Sequence, residues 1–172
     1  MEQQAPEIIF AVLLGGTLII WLGILLFSKA VLRKQLQSIS LELATMVAMG
    51  ATLGSLYFSE VQNFVPCVYC WYQRIAMYPL ALILLIATIR RDKNIIPYAL
   101  SLSLSGVALS AYHYQLQLFP EQSSSCGLEA SCTYRWIEVF GFVTIPLLAL
   151  TSFAFISMIL IATPRRWKKT QI

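Results

Sequence analysis

The stretch Pro66-Cys67-Val68-Tyr69-Cys70-Trp71-Tyr72-Gln73-Arg74 runs straight into an apolar block, and residues 71–89 carry Arg74 as their single charge. A spanning helix needs roughly 17–25 apolar residues at about 1.5 Å rise each. The block therefore reads as a transmembrane helix with a C-x-x-C pair at its N-terminus. Four further blocks have the same character: residues 8–28, 43–59, 95–120 and 139–164 contain no Asp, Glu, Lys or Arg. The 172-residue chain is 58% hydrophobic and 12% charged, about half the charge that a soluble domain carries. The expected class is all-α integral membrane, a four-helix transmembrane bundle with an additional N-terminal transmembrane helix. Residues 1–35 read as that helix and a cytoplasmic turn, 36–164 as the four-helix core with two extracytoplasmic cysteine loops, and 165–172 as a basic cytoplasmic tail. Block 8–28 has no basic residue before it and no clear small-x-small cleavage site, which favours a retained helix over a cleaved signal peptide.

The connections set the orientation. Lys29, Arg33 and Lys34 follow the first block, Arg90, Arg91 and Lys93 follow the third, and Arg165, Arg166, Lys168 and Lys169 follow the fifth. Alternating connections put all three clusters on one side, leaving only Arg74 and Arg135 for the other. The positive-inside rule makes the basic side cytoplasmic, with the N-terminus outside and the C-terminus inside. The net charge of +4 thus reports topology and points to a lipid bilayer rather than a nucleic acid as partner.

All four cysteines fall in the two outside loops: Cys67 and Cys70 in the first, Cys126 and Cys132 in the second. Disulfides persist outside the cytoplasm, so an even count confined there implies disulfide chemistry. Two inert staples and a four-cysteine zinc site compete with a redox relay. A lipid-held bundle hardly needs stapling, and the Cys126/Cys132 spacing is wider than a zinc knuckle. The relay fits best, and no metal is expected.

At a helix N-terminus, unsatisfied N–H groups and the macrodipole favour a thiolate, which the sequence places at Cys70. Arg74 lies four residues on, along the same helix face. An arginine at that depth either snorkels to headgroups or holds an anionic or carbonyl ligand. His113 lies at similar depth on the next helix, compatible with one pocket shared with Arg74 and suited to a lipophilic carbonyl compound such as a quinone. Its plainer reading is a histidine bonded to another helix. Residues 133–141 read either as a short amphipathic interfacial helix or as an extension of the last helix. Pro79 and Pro146 kink their helices or begin regular helix.

With these residues in place, the chain resembles the disulfide bond formation protein B (DsbB) family and looks closest to its BdbC-type branch from Gram-positive bacteria. The similarity covers about residues 41–163. It is carried by Pro66-Cys67-x-x-Cys70-Trp71-Tyr72-Gln73-Arg74, Tyr112-His113-Tyr114, the Cys126/Cys132 pair and Gly141-Phe142-Val143-Thr144-Ile145-Pro146. The resemblance implies two redox disulfides, Cys67–Cys70 and Cys126–Cys132, and a quinone (menaquinone or ubiquinone) bound by Arg74 and His113. It implies an extracytoplasmic thioredoxin-like thiol oxidase of the DsbA or BdbD type as partner, and a multi-pass place in the bacterial cell membrane. The implied activity is a thiol–disulfide oxidoreductase that reoxidises that partner and reduces the quinone. The alternative is a non-enzymatic, disulfide-stapled membrane scaffold or partner subunit. The family core has four helices, so the block at 8–28 is an addition to it.

Overall fold

The computed structural model describes residues 39–122 and 131–163. The expected span at 8–28, Cys126 and the basic tail lie outside the described residues. Helix α1 (Ser40–Leu56) continues into a π-helical turn, Tyr57–Val61. It is followed by α2 (Val68–Arg90), a 3-10 turn (Lys93–Ile95), α3 (Ile96–Leu118) and α4 (Ile145–Ala162). All four helices are long and apolar enough to cross a membrane, as the four core blocks require.

Each boundary has a local cause. In the π turn, the Gln62 N–H reaches the Tyr57 carbonyl at 3.1 Å, which accommodates one extra residue per turn and accompanies a buried Phe58. Helix α2 begins where Cys67 leaves an extended conformation (φ −74°, ψ 173°). It ends at Arg91, in the left-handed region at φ 52°. There the Asp92 N–H reaches the Ala87 carbonyl at 3.0 Å and the Arg91 N–H reaches that of Thr88 at 3.2 Å, a Schellman closure. Pro97 and Pro146 stand in the first turns of α3 and α4, where a missing N–H costs no intrahelical bond. Pro146 thus begins regular helix, whereas α2 runs on through Pro79.

The helices form a closed ring in which α1 packs on α2, α2 on α3, α3 on α4 and α4 on α1, while α2 and α4 hardly meet across the diagonal. This is the up-and-down order that short connections favour. Ala44, Ala48, Leu80, Leu84, Ile156 and Phe153 fill the centre. Gly106 lets α3 approach closely, since a Cβ there would overlap the Phe153 ring. Small hydroxyl residues join the helices where apolar lipid gives no hydrophobic drive: Thr45 Oγ1 lies 2.6 Å from Thr88 Oγ1, and Ser103 Oγ 2.9 Å from Ser157 Oγ. Met46, Leu53, Leu82, Ile89 and Ile161 are more than half exposed. Such a surface is a liability in water and natural against acyl chains.

The segment before α4 corrects the sequence reading. Residues 131–144 form neither an interfacial helix nor an extension of the last span. Val139 and Val143 exchange two backbone hydrogen bonds, each 3.0 Å. Phe140 and Gly141 between them take φ of 53° and 77°. Two consecutive residues in that region cannot belong to a right-handed helix, so α4 starts only at Ile145.

Candidate active site

The C-x-x-C motif straddles the start of α2, and that placement treats its two sulfurs differently. Cys67 is the N-cap, and its side chain folds back to accept the Cys70 backbone N–H at 3.4 Å. The two sulfurs are 3.1 Å apart, and both residues are free thiols. His113 Nε2 on α3 approaches Cys67 Sγ at 3.5 Å. The Cys67 thiol is consequently lowered from 9.0 to about 4, chiefly by the hydrogen bond from Cys70. Burial opposes this, and the hydrogen bond and charge of His113 add to it. Sequence reasoning placed the thiolate at Cys70. In this dithiol state the donors converge on Cys67, because the capping position, not the third helical residue, turns its side chain onto the free N–H groups.

The second loop comes to the same place. Cys132 is buried and clusters with Cys67 and Leu116, with Tyr69 and Cys70 packed alongside. Cys132 is itself in a disulfide; Cys126 lies outside the described residues. His113 Nε2 is 3.2 Å from the Cys132 carbonyl oxygen. A carbonyl only accepts, so Nε2 carries the proton and one N–H spans Cys132 and the Cys67 sulfur. Among the described residues, His113 Nδ1 is buried without a hydrogen-bond partner.

Further bonds from α3 hold the loop against the end of the bundle. Gln117 Nε2 donates to the Tyr134 carbonyl at 3.2 Å, Arg135 returns a bond to the Gln117 carbonyl at 2.9 Å, and the Tyr114 hydroxyl donates to the Phe142 carbonyl at 3.2 Å. Trp136 stacks on Phe64 with centroids 5.0 Å apart, and Phe64 on Phe58 at 5.8 Å. Sequence reasoning missed Gln117 and the Phe64–Trp136 stack. The one available signal was that His113 and Gln117 are polar residues one turn apart on the same helix face.

On its other flank the dithiol meets a cavity of about 280 Å³. Cys70 lines it; Cys67 and His113 do not. Its walls include Phe58, Phe64, Met77, Trp136 and Phe153, with Ser55, Gln73 and Arg74 as polar members. Arg74 Nη2 donates to the Ser55 carbonyl at 3.2 Å, and the guanidinium lies over the Trp71 ring, 5.2 Å from its centroid. The fork keeps further donors beyond that one bond. Gln73 is tied to Ser110 at 3.2 Å. The expected pocket shared by Arg74 and His113 is therefore not what the fold builds. Arg74 belongs to the cavity, and His113 to the junction between the cysteine loops.

Comparison with known proteins matches this arrangement to one family. A family model described as "Disulfide bond formation protein DsbB" matches residues 37–163. The chain is 50% identical over 114 residues to a probable disulfide formation protein C of Halalkalibacterium halodurans, covering 64% of this chain and 82% of that one. It is 48% identical over 113 residues to the disulfide bond formation protein C of Bacillus subtilis, with the same two coverages. A prophage-derived disulfide bond formation protein B of Bacillus subtilis is 43% identical over 106 residues, covering 61% and 72%. With the matched region enclosing all four described helices and both cysteine loops, the chain belongs to the DsbB family of disulfide bond formation proteins.

Proposed function

We propose that this protein is a membrane thiol–disulfide oxidoreductase. In this reading it reoxidises an extracytoplasmic thioredoxin-like thiol oxidase of the DsbA or BdbD type and passes two electrons to a membrane quinone, menaquinone or ubiquinone. It thereby supports disulfide formation in exported proteins. The observation that carries the reading is the junction itself: Cys132 is packed against Cys67, while Cys70 lines an apolar cavity beside Arg74.

The steps follow thiol–disulfide exchange. A partner thiolate attacks the Cys126–Cys132 disulfide at Cys126, and Cys132 leaves as a thiolate. Cys132 attacks Cys67 of the Cys67–Cys70 disulfide, and Cys70 leaves in turn as a thiolate. The partner's second thiol displaces Cys126 and departs as a disulfide. Cys126 then attacks Cys132, restores the loop disulfide and frees Cys67. Two electrons now reside on Cys67 and Cys70, the state with two free thiols and Cys132 in a disulfide. His113 serves the exchange by holding the Cys132 backbone while its N–H steadies the Cys67 thiolate.

The cavity suits a quinone ring: its walls are apolar, its volume is close to the roughly 300 Å³ lower bound of ligand pockets, and Arg74 offers N–H groups to a carbonyl oxygen. A quinone bound there would supply a two-electron, two-proton acceptor. Arg74 would orient that oxygen, and Cys70 is the sulfur that lines the cavity. The Cys67–Cys70 disulfide is restored as the electrons leave. Sidedness follows the charges: the cysteine loops face outside, the turn at Arg90, Arg91 and Lys93 faces the cytoplasm, and the N-terminus lies outside.

Purified protein, a reduced thioredoxin-like partner and a quinone are the ingredients of the test, followed by quinone absorbance. Turnover is expected, and Cys70→Ser is expected to reduce it to background. Absent turnover, or turnover indifferent to Cys70→Ser, overturns the reading.

A further inference from the structure

We propose that Cys67, Cys70 and His113 together form a binding site for a thiophilic divalent cation of the Zn²⁺ class, present only while the C-x-x-C pair is a dithiol. Among the described residues, these three offer Sγ, Sγ and a ring nitrogen all within 4.8 Å of one another, and Cys67 and His113 are buried. The distances are already close to a coordination shell. With Zn–S of about 2.3 Å and Zn–N of about 2.05 Å, tetrahedral geometry puts sulfur and nitrogen about 3.5 Å apart and two sulfurs about 3.8 Å apart. Cys67 Sγ and His113 Nε2 are 3.5 Å apart, and the two sulfurs 3.1 Å. A small rotation of the more exposed Cys70 side chain away from Cys67 completes the fit.

Charge favours the same outcome. The cation joins the Cys67 thiolate and replaces the Cys70 thiol proton, which leaves to solvent, and two thiolates with one neutral imidazole make a cluster of zero net charge. A neutral cluster is the form that a buried, apolar site tolerates. The imidazole proton must move from Nε2 to Nδ1 so that Nε2 can bind. Among the described residues Nδ1 is buried and has no hydrogen-bond partner, so it is free to take that proton, with no carbonyl or carboxylate among them to orient it. A carbonyl or carboxylate bonded to the far nitrogen of a ligating imidazole usually tightens a metal site about 10–100-fold. With none among the described residues, the site is an exchangeable one rather than a structural one. The fourth position falls to a water or to the Cys132 carbonyl, which already lies 3.2 Å from Nε2.

Redox state gates the site, because sulfurs joined in a Cys67–Cys70 disulfide have no thiolate to give. A cation held there occupies both sulfurs that would otherwise be reoxidised, and its binding does not depend on which electron acceptor the cavity takes.

The test uses the full-length chain in detergent with Cys126→Ser and Cys132→Ser, so that Cys67 and Cys70 are the only thiols. Cd²⁺ is the probe, read by the sulfur-to-metal ultraviolet band under chelator competition. One Cd²⁺ per chain is expected in the dithiol state and none after the Cys67–Cys70 disulfide is formed. His113→Gln, whose amide can still donate to the loop carbonyl, is expected to weaken binding at least about tenfold. X-ray absorption of the Zn²⁺ form of the His113-containing chain is expected to give two sulfur and at least one imidazole nitrogen neighbour, a readout that does not depend on the variant folding. Equal affinity in His113→Gln, a shell without imidazole nitrogen, or Cd²⁺ binding by the disulfide form each overturns the proposal.

Discussion

Cys67 and Cys70 sit one helical turn apart, yet the first faces His113 and Cys132 while the second faces the cavity. Their titration should differ accordingly. With its thiol lowered from 9.0 to about 4, Cys67 is a thiolate across the physiological range. In chelator-treated buffer, the thiolate ultraviolet absorbance lost in Cys67→Ser should therefore persist to about pH 5 and fall with a midpoint near 4. His113→Ala should move that midpoint upward, because the His113 hydrogen bond and charge both lower it. A midpoint near that of an ordinary thiol overturns the assignment. The linkage has a definite sign. A thiol whose folded value lies below its unfolded one contributes stability above the unfolded value, and that contribution drains away as pH falls towards the folded one. The dithiol form should thus lose this part of its stability between about pH 9 and 4. At this scale the sequence reveals the motif, the helix start and the placement of Arg74 one turn on. It does not reveal which sulfur collects the donors, because that depends on the extended backbone at Cys67 and on the approach of His113 from another helix.

Apolar run lengths mark the four core helices well, but they do not say which face packs inward. In lipid both faces of a helix are apolar, so the 3.6-residue alternation that betrays a soluble helix is absent. Gly106 shows what is hidden: nothing in Ser105-Gly106-Val107 announces that Phe153 of α4 lies against it. Gly106→Ala should destabilise the bundle by about 1–3 kcal/mol, the usual cost of overpacking, read as a lower thermal midpoint in detergent. Phe153→Leu in the same chain should restore part of the loss, since the two sites share one contact. Additive losses would show that α3 and α4 do not meet there. The segment at 131–144 was illegible for a different reason. Thr133–Phe140 has the aromatic and charged mixture of an interfacial helix, but Phe140 and Gly141 are turned into the left-handed region by the Val139–Val143 pairing. Bonds from Gln117 and Tyr114 then hold the loop in place, and such long-range partners leave no local pattern.

The ring of four helices puts the cysteine loops at one end and the basic turn at the other. Cys67 starts α2 and His113 closes on it from the last turns of α3, whereas Arg90, Arg91 and Lys93 sit where α2 hands over to α3. A bilayer around the exposed apolar belt therefore separates the dithiol from these cations by the length of a 23-residue helix. Cationic side chains resist export, so this end should remain cytoplasmic. In a cysteine-free chain expressed in intact cells, Glu121→Cys should react with a membrane-impermeant maleimide, and Asn94→Cys should react only after permeabilisation. Deleting residues 1–35 should leave that pattern unchanged, because Arg90, Arg91, Lys93 and the basic residues at 165–169 still anchor the core. Labelling of Asn94→Cys from outside would invert the molecule. It would put the C-x-x-C pair in a reducing compartment, where a disulfide relay to an exported partner has no role.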